Sequence, residues 1–265
     1  MLEIRICDDT DTKRVLPLCE NFNLGIEVQG FYDPNLIDTP KVQELIEQHK
    51  ELLSNFKKGK SLHGPFFDLN LGSKNIRIKE ITLKTFNFAY EVAKSLGCTE
   101  IVVHNGFMPN TSYYTGWTKN AVEFWKEFFK DKDDSITMMI ENQCEEDFEI
   151  LKSEIDAVND PRLKVCLDVG HAHANSNISC EEWITNLNDR IGYVHLHNNH
   201  GKIAGRPSFM NDEHFGLNNG TIDIPKVLSL LNQYCKNAIV SLECKLDEME
   251  ESLELLKTLN YIQEK

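Results

Sequence analysis

Two stretches, ITMMIEN at 136–142 and LKVCLDVGHA at 163–172, decide how this chain folds. Each begins as a short, mostly apolar run and reaches a carboxylate, Glu141 or Asp168. Runs of that length and composition read as strands buried on both faces, as the strands of parallel sheets are. A carboxylate closing such a strand is costly to desolvate unless a partner or a metal compensates. The same closure recurs along the chain: LGIE ends on Glu27, SLH on His63, IVVH on His104, YVH on His195 and VSLE on Glu243. Seven closures at the same end of successive strands put the polar groups on one rim of a closed sheet. That rim is where a parallel α/β barrel carries its chemistry.

The intervening sequence supports a barrel. Strands are expected at 2–7, 24–28, 61–66, 100–104, 136–142, 163–168, 191–197 and 238–243, with helices at 39–56, 76–96, 117–130, 145–158, 224–234 and 246–259. The first of these helices opens on Thr39-Pro40, a cap and first-turn pair. The second places Ile81, Phe88 and Val92 at helical spacing and stops at Gly97. Eight βα units without a break in composition predict one (β/α)8 TIM-barrel domain over residues 1–265, close to the usual barrel length of about 250 residues. Residues 198–219 form a long connection rich in Asn, Gly and His, a length at which loops are usually functional or disordered.

Composition narrows the function classes. With 41% hydrophobic and 26% charged residues the chain reads as a soluble globular protein. No apolar run approaches the roughly 20 residues of a membrane span, and the start MLEIRICDD has neither the basic lead nor the apolar middle of a signal peptide. A cytoplasmic location is expected. The eight cysteines contain no C-x-x-C pair and read as buried thiols in a reducing compartment. A formal charge of −14 argues against indiscriminate binding to nucleic acid or anionic membranes, though a local basic patch is compatible with it.

Any one rim residue, taken alone, reads more readily as a hydrogen-bonded histidine or a helix-capping carboxylate than as a ligand. The unbroken series changes that balance. Asp168-Val-Gly-His171 and Asp212-Glu-His214 add two further Asp/His clusters. Carboxylates with imidazoles suit zinc or manganese, and iron also fits. These groups exceed the needs of one ion, so two or three divalent ions sharing Glu141 are expected.

The order of motifs resembles that of the xylose isomerase-like barrel superfamily, which includes endonuclease IV and many sugar isomerases and epimerases. The resemblance spans nearly the whole chain. It implies that His63 (SLHGPF), His104 (VVHNGF) and Glu141 (IEN) hold a first ion, with Glu141 bridging to a second. Asp168 (LDVGHA), His195 (VHLH) and Glu243 (SLE) resemble the remaining ligands of that second ion, and His171, Asp212 and His214 (NDEHFG) those of a third. The isomerases and epimerases generally need only the equivalents of Glu141, Asp168, His195 and Glu243. Three departures set this chain apart from endonuclease IV. The segment GIEVQGFYDPNLID after the second strand has no Lys or Arg, Asn218-Asn219-Gly220 replaces a G-E-G, and His197 stands where the repair enzymes carry Asn.

Phosphoester hydrolysis on a multi-metal centre is the first expectation, with an abasic-DNA substrate made less favourable by the missing basic loop. The alternative is isomerisation or epimerisation of a sugar or sugar phosphate, with Glu141 and Glu243 as the acid/base pair the resemblance implies. A third reading is a metal- or sugar-binding barrel without catalysis. Candidate substrate contacts are Glu27, His197, Trp117 in the stretch TSYYTGW (111–117), and Lys202 and Arg206 in the long loop. Lys74, Arg77 and Lys79 are further candidate phosphate grips. The oligomeric state is left open by the sequence.

Overall fold

A computed structural model describes residues 2–109, 111–112, 114–207 and 210–264, without the side chains of Tyr114 and Thr115. Eight parallel strands follow one another around a closed barrel: β1 (Glu3–Cys7), β2 (Gly25–Val28), β3 (Lys60–His63), β4 (Glu100–His104), β5 (Thr137–Glu141), β6 (Leu163–Asp168), β7 (Ile191–Leu196) and β8 (Ile239–Leu242). Pairing of β8 with β1 closes it. The outer layer is α1 (Thr12–Phe22), α2 (Pro40–Leu53), α3 (Ile76–Leu96), α4 (Tyr114–Phe128), α5 (Glu149–Val158), α6 (Val169–Asn175), α7 (Cys180–Leu187), α8 (Ile224–Tyr234) and α9 (Met249–Thr258). Among the described residues, no helix is long and apolar enough to cross a membrane.

The strands are short because local chemistry stops them. β3 ends at His63, three residues before the sequence-based bound, since Gly64-Pro65 follows and proline has no N–H for the ladder. Gly97 ends α3 in the left-handed conformation at φ 71°, where its N–H bonds the carbonyls of Ala93 and Lys94. The buried side of α3 includes Phe86, Ala89, Val92 and Ala93, whereas Ile81 is exposed, against the sequence-based expectation. Three helices had no counterpart among the expected ones: α1, which carries Pro17, and α6 and α7, which at 7 and 8 residues are too short to show an apolar period.

The period-2 alternation of the strands sorts their side chains. Even-numbered Ile4, Ile6, Ile26, Leu62, Ile140 and Val194 join the large apolar core between barrel and helices. The opposite face supplies a separate inner cluster of Val102, Met139, Cys166, Tyr193 and Ile239. Two residues further along four of these strands come His104, Glu141, Asp168 and His195. The barrel interior is thus plugged by a layer of side chains, and the polar groups stand directly on that layer. At the N-terminal end Arg5 is buried and paired with Glu3 and Glu100. All eight cysteines are free thiols, seven of them buried.

Candidate metal centre

The C-terminal ends of the strands converge on three groups of potential ligands. His63 and His104 face Glu141 Oε2 at 3.3 and 3.0 Å through their Nε2 atoms. Glu141, Asp168, His195 and Glu243 form the second group, and His171, Asp212 and His214 the third. In each group the candidate ligand atoms lie within 4.8 Å of one another. The nine residues that the resemblance singled out are therefore brought to one rim. Two smaller groupings, Glu27–His63–His195 and His197–His214–Glu243, overlap these.

Hydrogen bonds decide which nitrogen of each imidazole faces inward. His63 Nδ1 is 2.9 Å from the Gly64 carbonyl, His171 Nδ1 is 2.8 Å from that of Asn142, and His214 Nδ1 is 2.9 Å from that of Glu243. A carbonyl only accepts, so each Nδ1 carries a proton and each Nε2 is the nitrogen turned toward the rim. His195 is reversed: Nε2 donates to Glu27 Oε1 at 3.0 Å, leaving Nδ1 near Glu141 Oε1 at 3.1 Å and Glu243 Oε2 at 3.0 Å. Metal-bound histidines are held in this way, with the other ring nitrogen fixed by a carbonyl or carboxylate.

The donor set fits a divalent cation on a second count. Among the described residues, Glu141 Oε2, Glu243 Oε2 and Asp212 Oδ1 are buried without a hydrogen-bond partner. Glu243 Oε2 and His195 Nδ1 approach closely yet make no hydrogen bond, an arrangement expected of atoms aimed at a common centre. Oxygen and imidazole nitrogen together match zinc or manganese.

The loop after β7 completes the rim. Asn198 ties it back on itself: its Nδ2 donates to the Leu217 carbonyl and its Oδ1 accepts from Ile222 N, while its backbone bridges Phe215. A Cβ on Gly220 would lie 2.2 Å from Asn198 Oδ1, so this tie requires glycine there. Asp168 caps α6 by accepting from His171 N at 2.6 Å. Asn142 secures the same corner, its amide exchanging two hydrogen bonds with the backbone of Asp168.

Charge balance within the rim is severe. Burial opposes ionisation of Glu141, but the imidazoles of His195 and His104 outweigh it and hold the carboxyl well below its ordinary range. Burial likewise opposes the charged forms of His171, His195 and His214. Carboxylates around His171 and His214 prevail, lifting the first well above the usual value and the second to about 9. In the protein alone, protons on these rings offset the carboxylates, and a bound cation would release them.

A cavity of about 560 Å³ opens above the rim. Its walls include residues the sequence reading did not single out: Asp9, Gln29, Tyr32, Phe66, Gln143 and Lys245. Gln29 Nε2 donates to Glu243 Oε1. Phe66 stacks on His104 with ring centroids 4.6 Å apart and on Tyr32 at 5.6 Å. A polar or aromatic residue shortly after a strand end was the available signal for Gln29, Phe66 and Gln143. Nothing local marked Tyr32.

None of the five candidate substrate contacts is among the residues that line this cavity. Trp117 is buried, donating from Nε1 to Asn70 Oδ1 and packed edge-on against Phe107, so it is a packing residue. Lys202 bonds Asn177 and Arg206 pairs with Glu213, both away from the cavity wall. Glu27 is fully buried beneath His195. Lys74, Arg77 and Lys79 do not line the cavity either. His197 is buried, with Nε2 at 3.1 Å from Asp168 Oδ1 and its ring stacked on His214 at 4.0 Å. Tyr113 of the TSYYTGW stretch lies outside the described residues.

Comparison with known proteins places the fold. A family profile described as xylose isomerase-like TIM barrel matches residues 24–259. The uncharacterized protein MJ1311 of Methanocaldococcus jannaschii is 29% identical over 222 residues, covering 78% of this chain and 72% of that protein. Among solved structures, a D-tagatose 3-epimerase-like protein superposes with a TM-score of 0.77 at 24% identity, over 97% of both chains. A D-allulose 3-epimerase from Methylomonas in complex with D-allulose gives a TM-score of 0.70 at 18% identity, over 97% of this chain and 88% of that one. At these identities the structural likeness shows the fold.

Proposed function

The chain belongs to the xylose isomerase-like TIM barrel family, and on that premise we propose that it is a divalent-metal-dependent isomerase or epimerase of a small sugar or sugar phosphate. One observation carries the reading. Two glutamates, Glu141 and Glu243, approach the same ring nitrogen of His195 at 3.1 and 3.0 Å, with Asp168 beside them, at the base of a cavity of about 560 Å³. That volume suits a small molecule, and two of the structural neighbours are named as a D-tagatose 3-epimerase-like protein and a D-allulose 3-epimerase. The preference differs from the sequence-based one, which put phosphoester hydrolysis first.

The residues divide the work as follows. A divalent ion, zinc or manganese, held by Glu141, Asp168, His195 and Glu243 would polarise a carbonyl and its neighbouring hydroxyl. Glu141, kept ionised by the surrounding imidazoles, is a base able to take the proton from the carbon beside that carbonyl. Glu243, oriented by Gln29 and protonated from solvent beforehand, returns that proton, to the opposite face in an epimerisation, and the proton held by Glu141 passes back to solvent. Tyr32 and Phe66 cover the rim with apolar surface that excludes water and packs on a sugar ring. Second and third ions at the His63–His104 and His171–Asp212–His214 groups fit the same donor chemistry.

Phosphoester hydrolysis is the second reading, favoured by those two additional groups, which exceed what one-ion isomerisation requires. The test is deuterium incorporation. Zinc- or manganese-loaded protein is incubated in D₂O with ketoses and ketose phosphates, and in parallel with an abasic duplex. Metal-dependent deuteration beside the carbonyl is the expected result. Cleavage of the duplex with no deuteration of any sugar would reverse the order of the two readings.

A further inference from the structure

Beneath the rim a line of polar side chains runs through the barrel interior and ends on His195. Ser61 Oγ on β3 lies 2.6 Å from Tyr193 Oη on β7. Tyr193 donates to Glu27 Oε2 on β2 at 2.9 Å, and Glu27 Oε1 accepts from His195 Nε2 at 3.0 Å. All four residues are completely buried. Tyr193 in turn has the Arg5 guanidinium 5.9 Å from its ring centroid. The line spans from the paired charges at the N-terminal end to the rim.

A carboxylate buried this deeply needs a reason. Glu27 forms no ion pair with a Lys or Arg among the described residues; its partners are a phenol and an imidazole. Both of its oxygens are engaged, one below and one above. It does not line the cavity, so contact with a substrate is not its role. What it does fix is the ring of His195. With Nε2–H committed to Glu27, only Nδ1 can face Glu141, Asp168 and Glu243. His195 is thereby the reverse of His63, His171 and His214, which are fixed through Nδ1 by backbone carbonyls. A side chain does here what a peptide group does there.

We infer that Glu27 is a positioning residue, which Tyr193 and Ser61 hold in place and which fixes His195 for metal binding through Nδ1. The inference rests on the reading of the four-residue group as a metal site.

Zinc affinity, measured by competition with a chromogenic chelator, tests it in the wild type, Glu27→Gln, Glu27→Leu and Tyr193→Phe, each checked for fold by circular dichroism. Glutamine keeps an acceptor for His195 Nε2–H and its NH₂ meets the tyrosine oxygen, so affinity stays near wild type. Leucine removes the acceptor, and affinity falls roughly ten- to hundredfold, the usual cost of losing such a partner. Tyr193→Phe falls between them. A second readout follows the ring directly: in ¹⁵N-histidine-labelled, zinc-loaded protein, the His195 Nε2–H correlation persists in Glu27→Gln and disappears in Glu27→Leu. If the leucine variant cannot fold, loss of that correlation in Glu27→Gln contradicts the assignment. Wild-type affinity in a folded Glu27→Leu overturns the positioning role alone. Failure of the wild type to bind zinc, with Asp168→Asn equally inert, overturns the metal reading and the positioning role with it.

Discussion

Glu141 and Glu154 are both buried glutamates, and their surroundings give them opposite charge states. Glu141 stands at the barrel mouth among His63, His104, His171 and His195, which hold it ionised. Among the described residues, Glu154, on α5 in the outer layer, has one hydrogen-bond partner, Trp125 Nε1 at 2.6 Å, and its Oε2 has none. Burial dominates there and pushes its carboxyl up to about 8, so it is largely neutral at pH 7. Burial of a carboxylate is therefore no mark of function by itself. Convergent imidazoles and further carboxylates distinguish the mouth, where protons or a cation must balance the charge. In the helical layer a single proton suffices.

Glu141→Gln tests the contrast with the largest effect. It removes the proposed base and a ligand shared by two groups, so turnover is expected to fall on the order of 10³-fold, while circular dichroism stays unchanged. Turnover of the Glu141→Gln variant within tenfold of wild type would remove the functional side of the comparison.

Glu154→Gln is expected to leave turnover alone and to change the pH dependence of stability. In the folded protein Glu154 titrates near 8, against an ordinary value of 4.5 when unfolded. Between those values the folded state binds more protons, so the stability it contributes is complete below 4.5, declines as pH rises and is lost above about 8. The amide cannot ionise, and urea unfolding at pH 9 should show the variant more stable than wild type, by on the order of a few kcal/mol. Parallel pH profiles for the two proteins would mean that Glu154 is ionised in the fold.

The smallest effect separates packing from binding. Trp117→Phe loses the hydrogen bond to Asn70 Oδ1 and is expected to cost about 1 kcal/mol with KM unchanged. A severalfold rise in KM would return Trp117 to the substrate site.

Much of this architecture is legible in the sequence because strand ends are local. Asp168 follows a run whose alternation fixes which side chains face inward, and the observed β6 and β4 have the bounds that the apolar pattern sets. His171 and His214 were reachable from short Asp/His spacings, since Asp168 caps the helix that carries His171. Depth was not legible. Glu27 closes a strand-like run just as His63 does, yet Tyr193, two residues before His195 on the same strand, reaches it, so it lies below the rim. Nor were partners that depend on tertiary placement, such as Asn70 for Trp117 or Glu213 for Arg206. The helices α6 and α7 escaped because a single turn or two carries no period, although the Ser179–Glu182 capping box of α7 was present in the sequence.

Anomalous diffraction from crystals of the protein loaded with zinc or manganese tests the central claim most directly. The account predicts an ion bound by Glu141, Asp168, His195 and Glu243, with His195 coordinating through Nδ1 and Glu27 on its far nitrogen. Full metal loading with no anomalous peak at that group, or a peak with His195 turned to coordinate through Nε2, would contradict it.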